Sequence, residues 1–475
     1  MGSIQTANQL KRFQSILSSL ALIGLSVGFS LQGFNSDALY AYSQARDIWQ
    51  FGNLQGWTFS AISFSAPDVL LSIPLAGFIH SPYLFYCITA PLQIFLLVWL
   101  YSIYRSNLGP KQDFGTIFVL TSISVSLTAV LLAVVIGDAF YFTVEPFFIF
   151  VHHGFAALCS IFIFLLCKED DFAFWQKHPI ATILVLSALV YSDFFFGLYL
   201  GAFIATTISK KRPKSITVLF LFAVLCISIF ILDLYLNPSL GIQTAYSLFL
   251  DYDKWRIILN ATLIVIPALA LGFHLHKKHL LSNDLRSLLL GSLIVVYSLC
   301  LGGILKDLVG FRYLCILFPA TAFLLVEVLI SLNTHSTRHV MPLLLVSILS
   351  CTAYSFYQTK DRYKMAFVEE LACIQELQSS HPTMIARYWP AKMIFESTNR
   401  QVNLIQINEK FERNNWIYNS RWSTIFPEGN TSIVVTSDLG LPLLKNIQAN
   451  FSGRLTCQDK LLIIDKGATE VLGNH

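Results

Sequence analysis

The chain has 475 residues, of which 55% are hydrophobic, 14% aromatic and only 13% charged, so its charged share is about half the roughly 25% of a soluble domain. That composition and a mean hydropathy of +0.61 exclude a water-soluble globular protein, and 39 Phe leave too much apolar surface for a disordered chain. The net charge of +4 is small, and the positive residues are scattered, so no nucleic-acid partner is indicated.

The apolar residues fall in runs of membrane length. The first, Phe13 to Phe34, follows Lys11 and Arg12. No small-residue cleavage site closes it, so it reads as a retained anchor rather than a signal peptide. A first outer loop of nearly 50 residues follows, from Asn35 to about Pro82. Its opening stretch predicts a helix capped by Asn35 or Ser36, with Asp37, Tyr40, Gln44 and Asp47 on one side. Trp49 and Trp57 suit a helix lying along the bilayer surface. The apolar stretch Val69 to Ile79 is too short to span.

Further spans are expected near Pro82–Tyr104, Gly115–Ile136, Phe147–Cys167, Ser215–Leu236, Ile257–Leu275, Leu285–Leu305, Tyr313–Leu332 and Met341–Phe356. The interval Pro179–Ser209 is interrupted by Tyr191-Ser192-Asp193 and is either one long helix or a hairpin of two short ones. Lys168 and Lys177 precede it, and Lys210, Lys211, Arg212 and Lys214 follow, so both flanks read as cytoplasmic and the hairpin is favoured. The expected fold is therefore an α-helical polytopic membrane protein with about eleven transmembrane helices, the N-terminus inside and the C-terminus outside. Lys and Arg then divide 14 on the inside against 5 in the outer loops of the membrane domain.

Residues 1–358 are expected to form the membrane domain and 359–475 a small extracytoplasmic α/β domain. The latter shows strand-like runs at Met384–Ala386, Gln401–Ile407, Ser432–Thr436, Arg454–Cys457 and Lys460–Asp465. Helices are expected over Asp361–Gln378, from Pro390, and over Leu441–Phe451. No GxGxxG or P-loop pattern occurs. Of the nine cysteines, seven lie in or beside apolar runs, and only Cys373 and Cys457 stand apart as a pair that an oxidising compartment would allow to bond.

Polar groups at a membrane core are costly, so each is a functional candidate. Asp37 and Asp47 lie in the first outer loop, Asp138 and Glu145 in the next, and His152 and His153 follow. Asp193 sits at the hairpin tip, and Lys306, Arg312 and Tyr313 open a late span. Each has a plainer reading: Asp37 as a favourable charge at a helix start, Asp47 as a solvated charge, Asp138 and Glu145 as boundary acids, His152 as a bonded core histidine, and Lys306 and Arg312 as interfacial anchors. Asp37, Asp138, Glu145 and His152 could hold a divalent cation, but their spacing is not a recognised ligand pattern. No cofactor is otherwise indicated.

The first span with its long outer loop opening Asn35-Ser36-Asp37-Ala38-Leu39-Tyr40, the hairpin of Pro179–Ser209 and Arg312-Tyr313 at a late span together resemble the C-type (GT-C) superfamily of membrane glycosyltransferases. The resemblance covers roughly residues 10 to 335 and is architectural. It implies a polyprenyl-phosphate-linked sugar as donor, an extracytoplasmic glycan, lipid or protein as acceptor, and Asp37 as catalytic base. Many members carry a lysine at the hairpin break, where this chain has Asp193. No DxD or WWDYG-like motif occurs, so transfer to an Asn sequon is not expected.

On that reading Arg312 with Lys306 and Tyr313 would hold the donor phosphate, and Asp138, Glu145, His152, Asp193 and Asp47 would contact sugar or acceptor. The compact loops suit a bacterial inner membrane. The alternatives are a transporter or lipid flippase, and a catalytically inactive GT-C-like assembly partner.

Overall fold

A computed structural model describes residues 2–32, 39–58, 65–107, 113–132, 144–148, 153–169, 177–206, 213–236, 283–301, 309–332, 342–344, 346–350, 353, 374–408, 412–414, 418–425, 429–434, 453–457, 461–464, 466 and 472. The chain is mostly helical. In chain order the helices are α1 (Gly2–Gln32), α2 (Tyr40–Phe51), α3 (Leu70–Phe78), α4 (Pro82–Asn107), α5 (Phe114–Val130), α6 (Gly154–Glu169), α7 (Pro179–Ser192), α8 (Phe194–Ala205), α9 (Pro213–Leu236), α10 (Asn283–Leu301), α11 (Leu317–Leu332) and α12 (Tyr388–Ser397). The strands are β1 (Trp57–Thr58), β2 (Thr383–Arg387), β3 (Asn403–Ile407), β4 (Tyr418–Asn419), β5 (Thr431–Val434), β6 (Arg454–Thr456) and β7 (Leu461–Ile464). Two compact units form: 1–30 with 87–357, and 31–86 with 358–475.

Three helical stretches in the described residues are long and apolar enough to cross a membrane: Arg12–Ser30, Pro82–Asn107 and Arg312–Ile330. Seven shorter apolar helices accompany them. Apolar side chains face outwards in helical stripes, such as Leu84, Ile88, Leu92, Phe95 and Trp99 on α4 and Ile16, Leu20 and Ile23 on α1. A helix that shows water this face gains nothing by folding; one that shows it to lipid does. The expected span Ile257–Leu275 lies outside the described residues.

In the first unit, helix packing rests on small and hydroxylated residues. Thr121, Ser122, Ser124, Ser126 and Thr128 of α5 are all buried, and Thr121 and Ser122 donate to the carbonyls of Ile117 and Phe118 one turn back, each at 2.8 Å. These two hydroxyls are thereby satisfied within their own helix, which lets small side chains face a neighbouring helix. Long side chains link helices α4 and α11. Tyr101 stacks on Phe323 at 3.7 Å, and four residues further along both helices Arg105 makes a two-pronged contact with Glu327, at 2.6 and 3.2 Å. Tyr101 donates to the same carboxylate at 3.2 Å. The interval from Pro179 is two helices, α7 and α8, broken at Asp193, whose backbone is extended there.

The second unit joins the loop after α1 to the C-terminal residues. Its five-stranded sheet has the order β3-β2-β5-β7-β6, with β3, β2 and β5 parallel and β5, β7 and β6 antiparallel. Helix α12 makes the crossover from β2 to β3 that a parallel pair requires. The strands β2, β3, β5, β6 and β7 overlap the strand-like runs of the sequence. What has no counterpart in the sequence reading is the two-stranded ladder β1–β4, in which Trp57 faces Asn419, because two residues give no periodic signal. The unit's core combines Tyr40 and Trp57 with Ile394, Phe395, Tyr418 and Trp422. The loop 35–81, expected to belong to the membrane domain, is thus packed with C-terminal residues.

Helix α2 buries Tyr40 through Ala45 together with Asp47. Its polar side, read from the sequence as the face of an interfacial helix, lies largely inside the unit. Helix α3 packs beside it: Gly77 lets the Trp49 ring approach so closely that an added Cβ would lie 2.4 Å from the ring.

Candidate functional site

In the first unit the break between α7 and α8 builds a polar cluster inside an apolar surround. Asp193 caps α8 by accepting from the Phe195 N–H at 2.9 Å. Its second oxygen lies 2.8 Å from Nδ1 of His153, the residue just before α6. Both side chains are buried. A carboxylate only accepts, so the contact makes His153 Nδ1 the donor.

Aromatic rings fix this pair. His153 lies 4.4 Å from Phe195 and 4.7 Å from Tyr313, and Phe195 stacks on Tyr313 at 4.5 Å and 16°. Arg312 places its guanidinium carbon 5.2 Å from the centre of the Tyr313 ring and donates to the Tyr313 hydroxyl at 3.3 Å. The backbone beneath is held as well: the Tyr199 hydroxyl donates to the Tyr313 carbonyl at 2.8 Å, and Cys315 to the His153 carbonyl at 3.5 Å. The Tyr313 ring thus links the His153–Asp193 pair, at the starts of α6 and α8, to Arg312 in the 3₁₀ turn Val309–Leu314.

The sequence candidates divide as follows. Asp193, Arg312 and Tyr313 come together. Glu145 is buried in the same unit. Asp37, Asp138, His152 and Lys306 lie outside the described residues. Among the described residues no three His, Cys, Asp or Glu side chains are grouped as metal ligands.

Asp47 lies in the second unit, fully buried. Trp57 donates to it at 2.7 Å, Asn419 at 2.5 Å and Trp422 at 3.1 Å, and Arg400 pairs with its other oxygen. Arg400 also binds Glu396 at 2.5 and 3.0 Å and the Ser43 carbonyl at 3.0 Å. Burial raises the Asp47 carboxyl above the ordinary range, while Arg400 and the Asn419 and Trp422 donors pull it back. For Arg400, burial works against the charge, and Glu396 and Asp47 more than offset it. Asp47 therefore ties α2 to the C-terminal residues, with its lone pairs already occupied.

Two participants escaped the sequence reading, Glu327 and Arg400. His153 is named beside His152 in that reading, but only His152 is given a role there. Glu327 is a lone acid inside an apolar run, which is a signal that could have been used. Arg400 gives no local sign, since its partner Asp47 lies 353 residues away. No protein-family model matches the chain, and no curated protein matches it.

Proposed function

We propose that the chain is an integral membrane glycosyltransferase of GT-C type that moves a sugar from a polyprenyl-phosphate donor to an extracytoplasmic acceptor. The observation that carries this reading is the meeting of the Asp193–His153 pair with Arg312 and Tyr313 in a unit of apolar helices. Transfer needs a group to take the acceptor's hydroxyl proton and a cation at the leaving phosphate. Asp37 is the base in this proposal. An ordinary aspartate, with a pKa of about 3.9, is already ionised at neutral pH. The acceptor oxygen attacks the sugar C1, the C1–O bond to the phosphate breaks with its electron pair leaving on the lipid phosphate, and the anomeric centre inverts. Arg312, with Lys306, neutralises that phosphate, and the oriented His153 and Asp193 contact the sugar or acceptor.

The accompanying topology has eleven crossings, the N-terminus in the cytoplasm and the C-terminal α/β domain outside, in a bacterial inner membrane. Two observations support it. The β1–β4 ladder and the Asp47–Arg400 pair join the first loop to the C-terminal residues, so an even number of crossings must separate them. Eleven spans leave ten between them, whereas reading Pro179–Ser209 as one helix leaves nine. Cys457 is disulfide-bonded, which suits an oxidising compartment; its expected partner Cys373 lies outside the described residues.

The test is release of polyprenyl phosphate by the purified chain in proteoliposomes supplied with a panel of radiolabelled polyprenyl-phosphate hexoses. Asp37→Asn and Arg312→Ala are each expected to lower turnover by about 100-fold or more. Undiminished turnover in Asp37→Asn would refute the base, and undiminished turnover in both Arg312→Ala and His153→Ala would refute the site.

A second reading, a transporter or flippase, draws on the buried Asp193–His153 pair and the part-buried Glu327–Arg105 pair, since paired ionisable groups inside membrane helices mark transport paths. Flipping of a fluorescent polyprenyl phosphate in the same vesicles, without sugar transfer, would favour it.

A further inference from the structure

The second unit contains a polar cavity of about 380 Å³. It forms where the C-terminal half of α2, the end of α3 and the turn after α12 meet, and its walls include Arg46, Trp49, Gln50, His80 and Asn399, with Arg400 beneath. Its volume is at the small end of ligand pockets, which run from about 300 to 1,000 Å³.

The chemistry of the walls is one-sided. Arg46 has the Ala76 carbonyl at 3.5 Å, Nδ1 of His80 and the Asn399 side-chain oxygen at 3.3 Å as acceptors, and none is an anion. Among the described residues it has no carboxylate partner. A guanidinium only donates, so the His80 contact makes Nδ1 the acceptor and leaves Nε2 as an N–H donor. Gln50 gives its oxygen to Arg400 at 3.0 Å, which turns its amide nitrogen into another donor. Arg400 offers the cavity no free positive charge, because its one guanidinium is shared between two carboxylates, Asp47 and Glu396.

The cavity is also pre-shaped. Asn399 and Arg400 both have left-handed backbones, with φ of 51° and 61°, a conformation that costs a non-glycine residue roughly 1–2 kcal/mol. The buried Arg400 bonds hold that turn, and the turn delivers Asn399 to Arg46. Trp49 is fixed by its donation to the Ile73 carbonyl and by its seat on Gly77, yet more than half of its surface is exposed. A rigid, open indole beside a cation and several amide donors matches a pyranose ring that carries one negative group.

We infer that this cavity is a binding site for an anionic saccharide, a hexose bearing a carboxylate or a phosphate, with Arg46 on the anion and Trp49 against the ring. The inference does not rest on the glycosyltransferase reading, because every residue it uses lies in the second unit and binding is measured without turnover.

The test is isothermal titration calorimetry of the full-length protein in detergent with glucuronate, glucose 1-phosphate, glucose and inorganic phosphate. Glucuronate or glucose 1-phosphate is expected to bind with a Kd of about 1 mM or tighter, and glucose about 10-fold more weakly, as loss of a charge-assisted contact requires. Arg46→Gln should remove that preference at unchanged melting temperature, and the exposed Gln50→Ala should weaken both ligands. Absence of saturable binding, inorganic phosphate binding as tightly as glucose 1-phosphate, or unchanged affinity in both Arg46→Gln and Gln50→Ala would overturn the proposal.

Discussion

At the scale of single residues, the second unit depends on one cation between two acids. Arg400 compensates both Asp47 and Glu396 in a site closed to water. Arg400→Ala would leave two adjacent buried carboxylates and is expected to cost about 3–5 kcal/mol. Asp47→Asn leaves Arg400 with Glu396 and the Ser43 carbonyl and should cost less, about 1 kcal/mol. Burial already raises the Asp47 carboxyl, and removing Arg400 takes away the largest influence holding it down. A carboxyl with a raised folded-state pKa contributes stability that is full below its unfolded value of about 3.9 and is lost as pH rises through the folded value. The deficit of Arg400→Ala should therefore be larger at pH 7 than at pH 5. Thermal melting followed by fluorescence reads this directly, because Trp57 and Trp422 both donate to Asp47; a deficit that shrinks with rising pH would contradict the assignment.

At the scale of elements, the entry to α6 is set by a close approach. A Cβ on Gly154 would lie 2.0 Å from the Pro146 carbonyl oxygen, and backbone yields less readily than a side chain. Gly154→Ala is expected to destabilise by about 3 kcal/mol, the upper end of ordinary overpacking. Gly24 of α1 has nothing within 4 Å of an added Cβ, so Gly24→Ala should be neutral or stabilising by up to about 1 kcal/mol. Thermal stability in detergent, scored by size exclusion, distinguishes the two, and equal behaviour would count against the packing described at α6.

The break at Asp193 was legible in the sequence, because a charge between two apolar half-spans is unfavourable anywhere but at a helix junction. Its partner was not: His153 is named beside His152, but nothing local assigns it to Asp193, Phe195 and Tyr313, which contact it in the fold. The strands of the five-stranded sheet were legible as short β-prone runs, whereas β1 and β4 were not.

At the scale of the whole molecule, the proposed topology makes a labelling prediction. Lys177 and Asn53 are both exposed and belong to opposite sides of the membrane in the eleven-span arrangement. A cysteine at Asn53 should react with an impermeant maleimide in intact cells. One at Lys177 should react only in inverted vesicles. The same labelling at both positions would refute that arrangement.

The sequence by itself determined that the chain carries membrane-compatible apolar helices, that one of them breaks at Asp193, and where the short strands of its C-terminal part lie. These follow from the burial preference of each residue and from local periods of 3.6 and 2, which any window of the chain displays. Tertiary structure alone decided which charges serve as structural ties and which converge on a site. Asp47 reads as a solvated loop charge until Arg400 arrives from 353 residues away, whereas Arg46, one residue earlier, has no carboxylate partner among the described residues. A charge's role depends on the partner that compensates it, and in this fold those partners come from distant parts of the chain.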